Sequence, residues 1–370
     1  MDRRDFRKYG TVLAGVGGAC LLCKNGGVIF KGKPADIKSF QMDTRPCKIP
    51  FECLEIHPDG NVYTCCPDFI KGRVPVGNIK EQGYNEIWNG EKLNDFRQKI
   101  LKGDFSMCNR DICCCYKPCS KDDIPSDYKK GPQEIKICYD FECNYNCITC
   151  RDEIKINTPE EMKLYDEVYL PKVVEIAKNA KIVTLSLSGD ALFSRHTRKL
   201  MRTIAGKYPD IKFYLHTNGY LLDEENLTEL GIKDNILWID VSVDSVKRET
   251  YKKILRADGF DRVIKNLELM AEWKKQGKIE RITINFVVHL MNYKEMPEFV
   301  KLAQRLDAVA FFSAYRPWTS AEYYRLYNEV AVFEPTNKHY KEFVKILKNP
   351  IFQDKEHCFL EARLADIAKL

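Results

Sequence analysis

Cys143, Cys147 and Cys150 stand within eight residues at a CxxxCxxC spacing, directly after the strand-like run Glu134 to Tyr139. Thiolates are soft ligands that select iron-sulfur clusters or zinc. A cubane cluster ordinarily takes four cysteines, one for each iron, and this loop supplies three. An iron without a protein thiol stays open to a substrate or cofactor, as the fourth position of a catalytic zinc does. A zinc knuckle is the competing reading, and it lacks the fourth ligand that a structural zinc requires. The spacing therefore predicts chemistry rather than scaffolding.

The remaining thiols point the same way. Sixteen cysteines occur in 370 residues, nine of them between Cys47 and Cys119. That density would suit a disulfide scaffold in a short secreted chain. A chain of this length, 44% hydrophobic and 30% charged, buries an ample core without staples, so dense thiols imply metal in a reducing compartment. The formal charge of +6 comes without any stretch that alternates basic and stacking aromatic residues, which argues against a nucleic-acid partner. His57, His196, His216, His289, His339 and His357 have no paired ligand spacing and read as structural, and Cys358 reads as an ordinary buried thiol.

At the N-terminus, Arg3 and Arg4 precede an apolar, Gly-rich run from Gly10 to Leu22, a loose twin-arginine pattern. Asp2 and Asp5 dilute its basic segment, no A-x-A site closes it, and the run is too short to span a bilayer. The reading is a cytoplasmic chain with no membrane partner. Cys20 and Cys23 form a CxxC that is taken as two buried cysteines.

The elements that must position the cysteines follow from pattern. Leu54 to His57 and Val62 to Cys65 read as a hairpin around Pro58-Asp59-Gly60, and Tyr84 to Leu101 as one amphipathic helix stopped by Gly103. Ser120 to Gly131 is charged and aperiodic, so a linker is placed at 121–133. Six strand-like runs then alternate with helical ones: Glu134 to Tyr139, Ile182 to Leu187, Ile211 to His216, Ile236 to Val243, Ile282 to His289 and Ala308 to Ser313. Thr158-Pro159-Glu160-Glu161 is a capping box with proline at the first helical position. Such alternation predicts a parallel sheet covered by helices, with the site at the carboxyl ends of the strands, where the Cys143 loop falls. The tail from Ser313 to Leu370 reads as helices, including Asn337 to Leu347.

The cysteine triad after the first strand resembles the radical SAM superfamily. That resemblance implies a [4Fe-4S] cluster on Cys143, Cys147 and Cys150 that chelates S-adenosylmethionine, and an open (β/α)6 partial barrel. It further implies cofactor contacts at Ser188, Gly189 and Asp190, where the family has a Gly-Gly-Glu motif, and at Ser242 and Arg256. Thr217-Asn218-Gly219 reads equally as a plain turn, and Asn292 is like the asparagine after the fifth strand in relatives. The stretch from Cys47 to Cys119 resembles a SPASM auxiliary-cluster module, here on the N-terminal side of the barrel. It does so through Cys47, Cys53, Cys65, the Pro58-Asp59-Gly60 turn, Gly77-Asn78-Ile79, Glu86-Ile87-Trp88-Asn89, Arg97 and the closing cysteines.

The spacing places Cys47, Cys53, Cys65 and Cys119 on one auxiliary cluster, and Cys108, Cys113, Cys115 and Cys138 on a second, with one cluster or a structural zinc as the alternative. The layout is then an extension over 1–45, a cysteine-rich α+β SPASM-like domain over 46–120, the linker, a barrel over 134–315 and a helical cap over 316–370. The activity implied is an oxygen-sensitive oxidoreductase or maturase that cleaves S-adenosylmethionine reductively and takes hydrogen from a peptide, protein or carbohydrate. Its electrons would come from a flavodoxin- or ferredoxin-like donor. A non-catalytic iron-sulfur carrier or zinc scaffold is the alternative, but a mere carrier has no use for Ser188-Gly189-Asp190, Ser242 or Arg256 at strand ends.

Overall fold

The computed structural model describes residues 44–110, 113, 116–185, 189–316 and 326–370. Residues 1–43 with Cys20 and Cys23, Cys114, and the candidate residues Cys115 and Ser188 lie outside the described residues. Two compact units make up the chain: one takes in residues up to Asp140 with Thr158–Ser188 and Gly206–Ile211, the other Phe141–Asn157, Gly189–Ala205 and Lys212–Leu370.

In the first unit, β1 (Cys53–Ile56) and β2 (Asn61–Tyr63) form the expected hairpin, with Glu55 opposite Tyr63. The turn requires Gly60. Its φ is +85°, and a Cβ there would lie 2.6 Å from the Asn78 side-chain oxygen. Beside β2 runs β3 (Gly77–Asn78), and on its other side β1 pairs in parallel with β4 (Glu134–Ile137), which pairs in parallel with β5 (Ile182–Leu185). The cysteine-rich hairpin and the first two strands expected of the barrel are thus one sheet. The expected linker at 121–133 is not where the compact units divide.

One element differs from expectation. Tyr84 to Leu101 is two helices, Tyr84–Trp88 and Glu91–Leu101. Gly90 is extended, and a Cβ on it would lie 2.0 Å from the Glu86 carbonyl oxygen, so the chain turns at the one residue that fits there. Arg97 locks the pair. Fully buried, it donates to the Pro50 and Trp88 carbonyl oxygens and lies 4.2 Å from the Trp88 ring centre and 5.0 Å from that of Tyr128.

The second unit holds β6 (Lys212–Thr217), β7 (Ile236–Ser242), β8 (Arg281–Val288), β9 (Val309–Ala314) and β10 (Cys358–Leu360), neighbours in that order and all parallel. One face is apolar: Phe213, Leu215, Ile239, Val241, Ile282, Ile284 and Phe286 are buried, and the intervening helices supply matching stripes such as Val263, Leu267 and Met270 on Phe260–Lys275. The alternate residues of the same strands carry polar side chains. β10 was not foreseen in the tail. It is three residues long, too short for a periodic signal, and Phe359 stacks on Phe311 with ring centres 5.3 Å apart. Strand boundaries otherwise fall within about two residues of the sequence reading. Thr158 and Glu161 form the predicted capping box. The described strands do not close into a ring, and they form a mostly parallel α/β sheet of the expected class. No described helix is long and apolar enough to cross a membrane.

Candidate functional site

The CxxxCxxC loop lies in the second unit and is pinned at both ends. The Cys143 amide donates to the Lys155 carbonyl and the Ile148 amide to that of Ile254, each at 2.9 Å, and the Cys150 and Arg151 amides both turn back to the Cys147 carbonyl. The three thiols face one another closely enough that Cys143 and Cys150 both add to the upward push on Cys147, after burial as the main cause. Burial likewise raises the Cys143 thiol to about 12. Arg151 leans in, its Nε donating to the Cys150 sulfur at 3.4 Å and its Nη1 to the Phe141 carbonyl at 2.8 Å. Three converging soft donors beside a guanidinium fit a thiolate-ligated cluster, because metal loading must displace thiol protons and the cation favours the anions left behind.

Asp190 sits beneath this loop and is only 1% exposed. Its Oδ1 accepts from the Leu192 and Phe193 amides at 3.0 Å each, while Oδ2 accepts from the Thr217 hydroxyl at 2.8 Å and the Asn218 amide at 2.7 Å. Four donors leave this carboxylate no free lone pair for a cofactor ammonium. Here Asp190 ties the β6 end to the turn that precedes helix Arg195–Lys207. Burial raises its carboxyl while those bonds hold it down. Asn218 joins that tie to the cysteine loop, donating to Asn144 at 2.7 Å, so Thr217-Asn218-Gly219 is more than a plain turn.

Glu142 has no sequence signal and is among the most constrained groups here. It accepts from the Asn157 and Arg195 amides and from the Arg195 guanidinium at 3.1 and 3.3 Å, and its backbone carbonyl receives the Asp190 amide. Of the other expected contact residues, half-buried Gly189 precedes Asp190, and Ser242 is the last residue of β7, in register with Asn285. Arg256 caps helix Arg248–Leu255 in the left-handed region at φ +51°. A bulky residue held in that conformation is uncommon and concentrates at functional sites. Asp244, also at positive φ, accepts from the Val287 amide, and burial lifts its carboxyl to about 7. Asn292 braces the same corner through the Asp244 and Val287 carbonyls at 2.9 Å each.

The first unit gathers a second set of thiols. Cys47, Cys65, Cys108 and Cys113 line one cavity with Phe69 and Phe96. Each of Cys47, Cys65 and Cys108 is pushed up mainly by burial and then, in part, by the neighbouring thiols of this group. Four soft donors around an apolar cavity fit one cubane cluster. This grouping differs from the spacing-based one, because the chain between Cys66 and Cys108 folds back: the Lys71 amide meets the Met107 carbonyl and the Asn109 amide meets that of Phe69. Cys53 and Cys138 lie elsewhere on the sheet, where Cys138 is surrounded by Glu55, Lys136, Cys66 and Cys53. Glu55, His57 and Cys138 bring their ligand atoms within 4.8 Å of one another, with the His57 Nε2 to Glu55 Oε1 distance 2.8 Å. Cys119 points its sulfur to the Pro46 carbonyl at 3.4 Å. The described cysteines form no disulfide.

Comparison with known proteins finds a match over each of the two cysteine-bearing segments. The iron-sulfur cluster-binding SPASM domain matches residues 47–121, and the radical SAM superfamily matches residues 141–303. A probable GTP 3',8-cyclase of Saccharolobus islandicus is 30% identical over 181 residues, 47% of this chain and 54% of the relative. The GTP 3',8-cyclase of Synechocystis sp. is 29% identical over 192 residues, 51% and 56% of the two chains. The chain thus spans about half the length of the curated relatives it matches. Among solved structures, methylornithine synthase matches with a TM-score of 0.33 and 13% identity, over 51% of this chain and 56% of that one. The two domains imply S-adenosylmethionine and [4Fe-4S] clusters, one binding S-adenosylmethionine and the rest auxiliary. The chain carries a radical SAM domain, with a SPASM domain on its N-terminal side.

Proposed function

We propose that the chain cleaves S-adenosylmethionine reductively and abstracts hydrogen from a peptide, protein or carbohydrate, which it oxidises, cross-links or epimerises. The carrying observation is the convergence of Cys143, Cys147 and Cys150 in a loop pinned at Cys143 and Ile148. When bound, the cluster and S-adenosylmethionine supply, for one electron from a flavodoxin- or ferredoxin-like donor, methionine and a 5'-deoxyadenosyl radical that takes a substrate hydrogen atom. The chain's own residues supply position. Arg151 donates to the Cys150 sulfur, and the Asp190 and Glu142 bonds fix the loop against the end of β6. Ser242, Gly189 and Arg256 are the proposed cofactor contacts, with the Arg256 fork suited to a carboxylate.

Cys47, Cys65, Cys108 and Cys113 are the proposed ligands of an auxiliary cluster, and the SPASM match supports a reaction that uses a second redox centre. A nucleotide substrate is the second reading, favoured by the names of the relatives in Saccharolobus islandicus and Synechocystis. Changing Cys143, Cys147 and Cys150 together to alanine abolishes 5'-deoxyadenosine formation by anaerobic, reconstituted protein while auxiliary iron remains. Undiminished cleavage in that variant, measured by mass spectrometry, sinks the proposal. Product identification after incubation with peptide, sugar and nucleotide candidates separates the two readings.

A further inference from the structure

The polar face of the second unit's sheet holds acceptors that the fold leaves without partners. Register places its side chains in rows: Tyr214 beside Trp238 and Arg281, His216 beside Asp240 and Thr283, and Ser242 beside Asn285. Neighbours in a row are about 4.8 Å apart and successive rows about 6.6 Å apart along the strands. Asp240 is 1% exposed and Thr283 2%. Asp240 Oδ2 accepts from the Tyr214 hydroxyl at 2.7 Å and lies 3.7 Å from His216 Nδ1. Its Oδ1, the Thr283 hydroxyl and the Asn285 side-chain oxygen are all buried without a hydrogen-bond partner.

Buried polar atoms are nearly always satisfied by protein, water or ligand, and three unsatisfied acceptors on adjacent strands of one face are costly to retain for the fold alone. The row below them is aromatic. Tyr214 and Trp238 meet edge to face at 5.5 Å, and the Arg281 guanidinium lies 4.7 Å from the Trp238 ring centre. That face therefore already accommodates one planar nitrogen group.

We propose that Asp240, Thr283 and Asn285 form a subsite for the N–H edge of a planar head group, an amidine or an aminoheterocycle, on the substrate. The inference rests on the reaction proposed above and names the chemistry that reaction selects. Acceptors on two adjacent rows of one face match paired donors, and a ligand lacking them leaves the acceptors buried and unsatisfied, which is the stronger source of discrimination. An aminopurine and an arginyl side chain both present this edge.

The test uses the full, cluster-loaded chain under anaerobic conditions. Thr283→Val removes only the unpartnered hydroxyl, so its melting temperature equals or exceeds that of the wild type; a lower one shows that the hydroxyl serves the fold and overturns the subsite. Thermal-shift titrations with guanosine, which carries no phosphate, and with N-acetyl-arginine amide read the two sources of the edge. One of them stabilises the wild type, and Asp240→Asn, which turns a donor toward the ligand, weakens that binding by roughly tenfold or more. Asn285→Leu gives the same loss while leaving the Tyr214 bond intact. If neither probe stabilises the wild type, or both variants bind as well as it does, the subsite is refuted. Failure of the wild type to form 5'-deoxyadenosine would refute the reaction instead, and leaves these binding shifts unchanged.

Discussion

At the scale of single residues, the same side chain carries different weight once its donors are counted. Asp190 ends a predicted strand where a family acid binds an ammonium, and sequence alone made it a cofactor contact. The fold gives both of its oxygens to four protein donors. Asp190→Asn exchanges one oxygen for an amide that faces donors, and the expected result is a loss of about 1–3 kcal/mol in stability. Denaturant unfolding of the anaerobic protein measures it, and an unchanged midpoint would return Asp190 to the cofactor. Acceptor counting of this kind was illegible beforehand, because Thr217 and Asn218 meet the carboxylate only after β6 is in place, although the Leu192 and Phe193 bonds are local. His289 makes a second case. Burial lowers its pKa to about 3, with Nδ1 accepting from the Met291 amide at 3.2 Å. The unfolded imidazole binds a proton near pH 6.5 and the folded one does not until far lower. Stability is therefore full above about pH 6.5 and declines as pH falls toward 3, by up to about 1.4 kcal/mol per pH unit. Urea unfolding at pH 7 and pH 5 shows this slope, and His289→Gln removes it; equal slopes in the two proteins would contradict a buried neutral ring.

At the scale of elements, local spacing pointed to the segments that gather thiols, and long-range folding decided which thiols meet. The CxxxCxxC loop was legible because all its thiols share one short turn after one strand. The strands were legible because apolar residues such as Ile239, Val241, Ile282 and Ile284 alternate with polar ones on a period of two. The auxiliary thiols were not, since Cys47 and Cys65 meet Cys108 and Cys113 across more than forty intervening residues, and nothing in spacing separates them from Cys53 or Cys119. The regrouping has a direct consequence. Cys108→Ala lowers bound iron by about one cubane, roughly four atoms per chain, whereas Cys53→Ala and Cys119→Ala leave the count near that of the wild type. Iron and sulfide assays with electron paramagnetic resonance of the reduced protein report it. Equal iron loss in Cys53→Ala would restore the spacing-based set.

At the scale of the whole molecule, the expected linker at 121–133 invites the idea that the SPASM domain can be removed and the barrel kept. The first unit argues otherwise. Cys53–Ile56 pairs with Glu134–Ile137 over its full length, and the Gln133 and Glu134 amides both reach the Glu52 carbonyl. Tyr84 and Asn179 converge on the Lys130 carbonyl, Lys172 donates to the Ile79 carbonyl at 2.6 Å, and the Tyr169 hydroxyl donates to that of Pro58 at 3.0 Å. Ile135 and Ile137 are buried. A chain beginning at Glu134 would therefore bare the edge of an apolar strand, the pattern that drives edge-to-edge association. The predicted outcome is an aggregated or poorly folded product that recovers little 5'-deoxyadenosine formation, even though Cys143, Cys147 and Cys150 are all present. Size-exclusion chromatography and circular dichroism of the truncated chain decide the matter. A monodisperse, cluster-binding truncation that still cleaves S-adenosylmethionine would show that β4 needs no neighbour on that side, and would put the division of the molecule back at the linker.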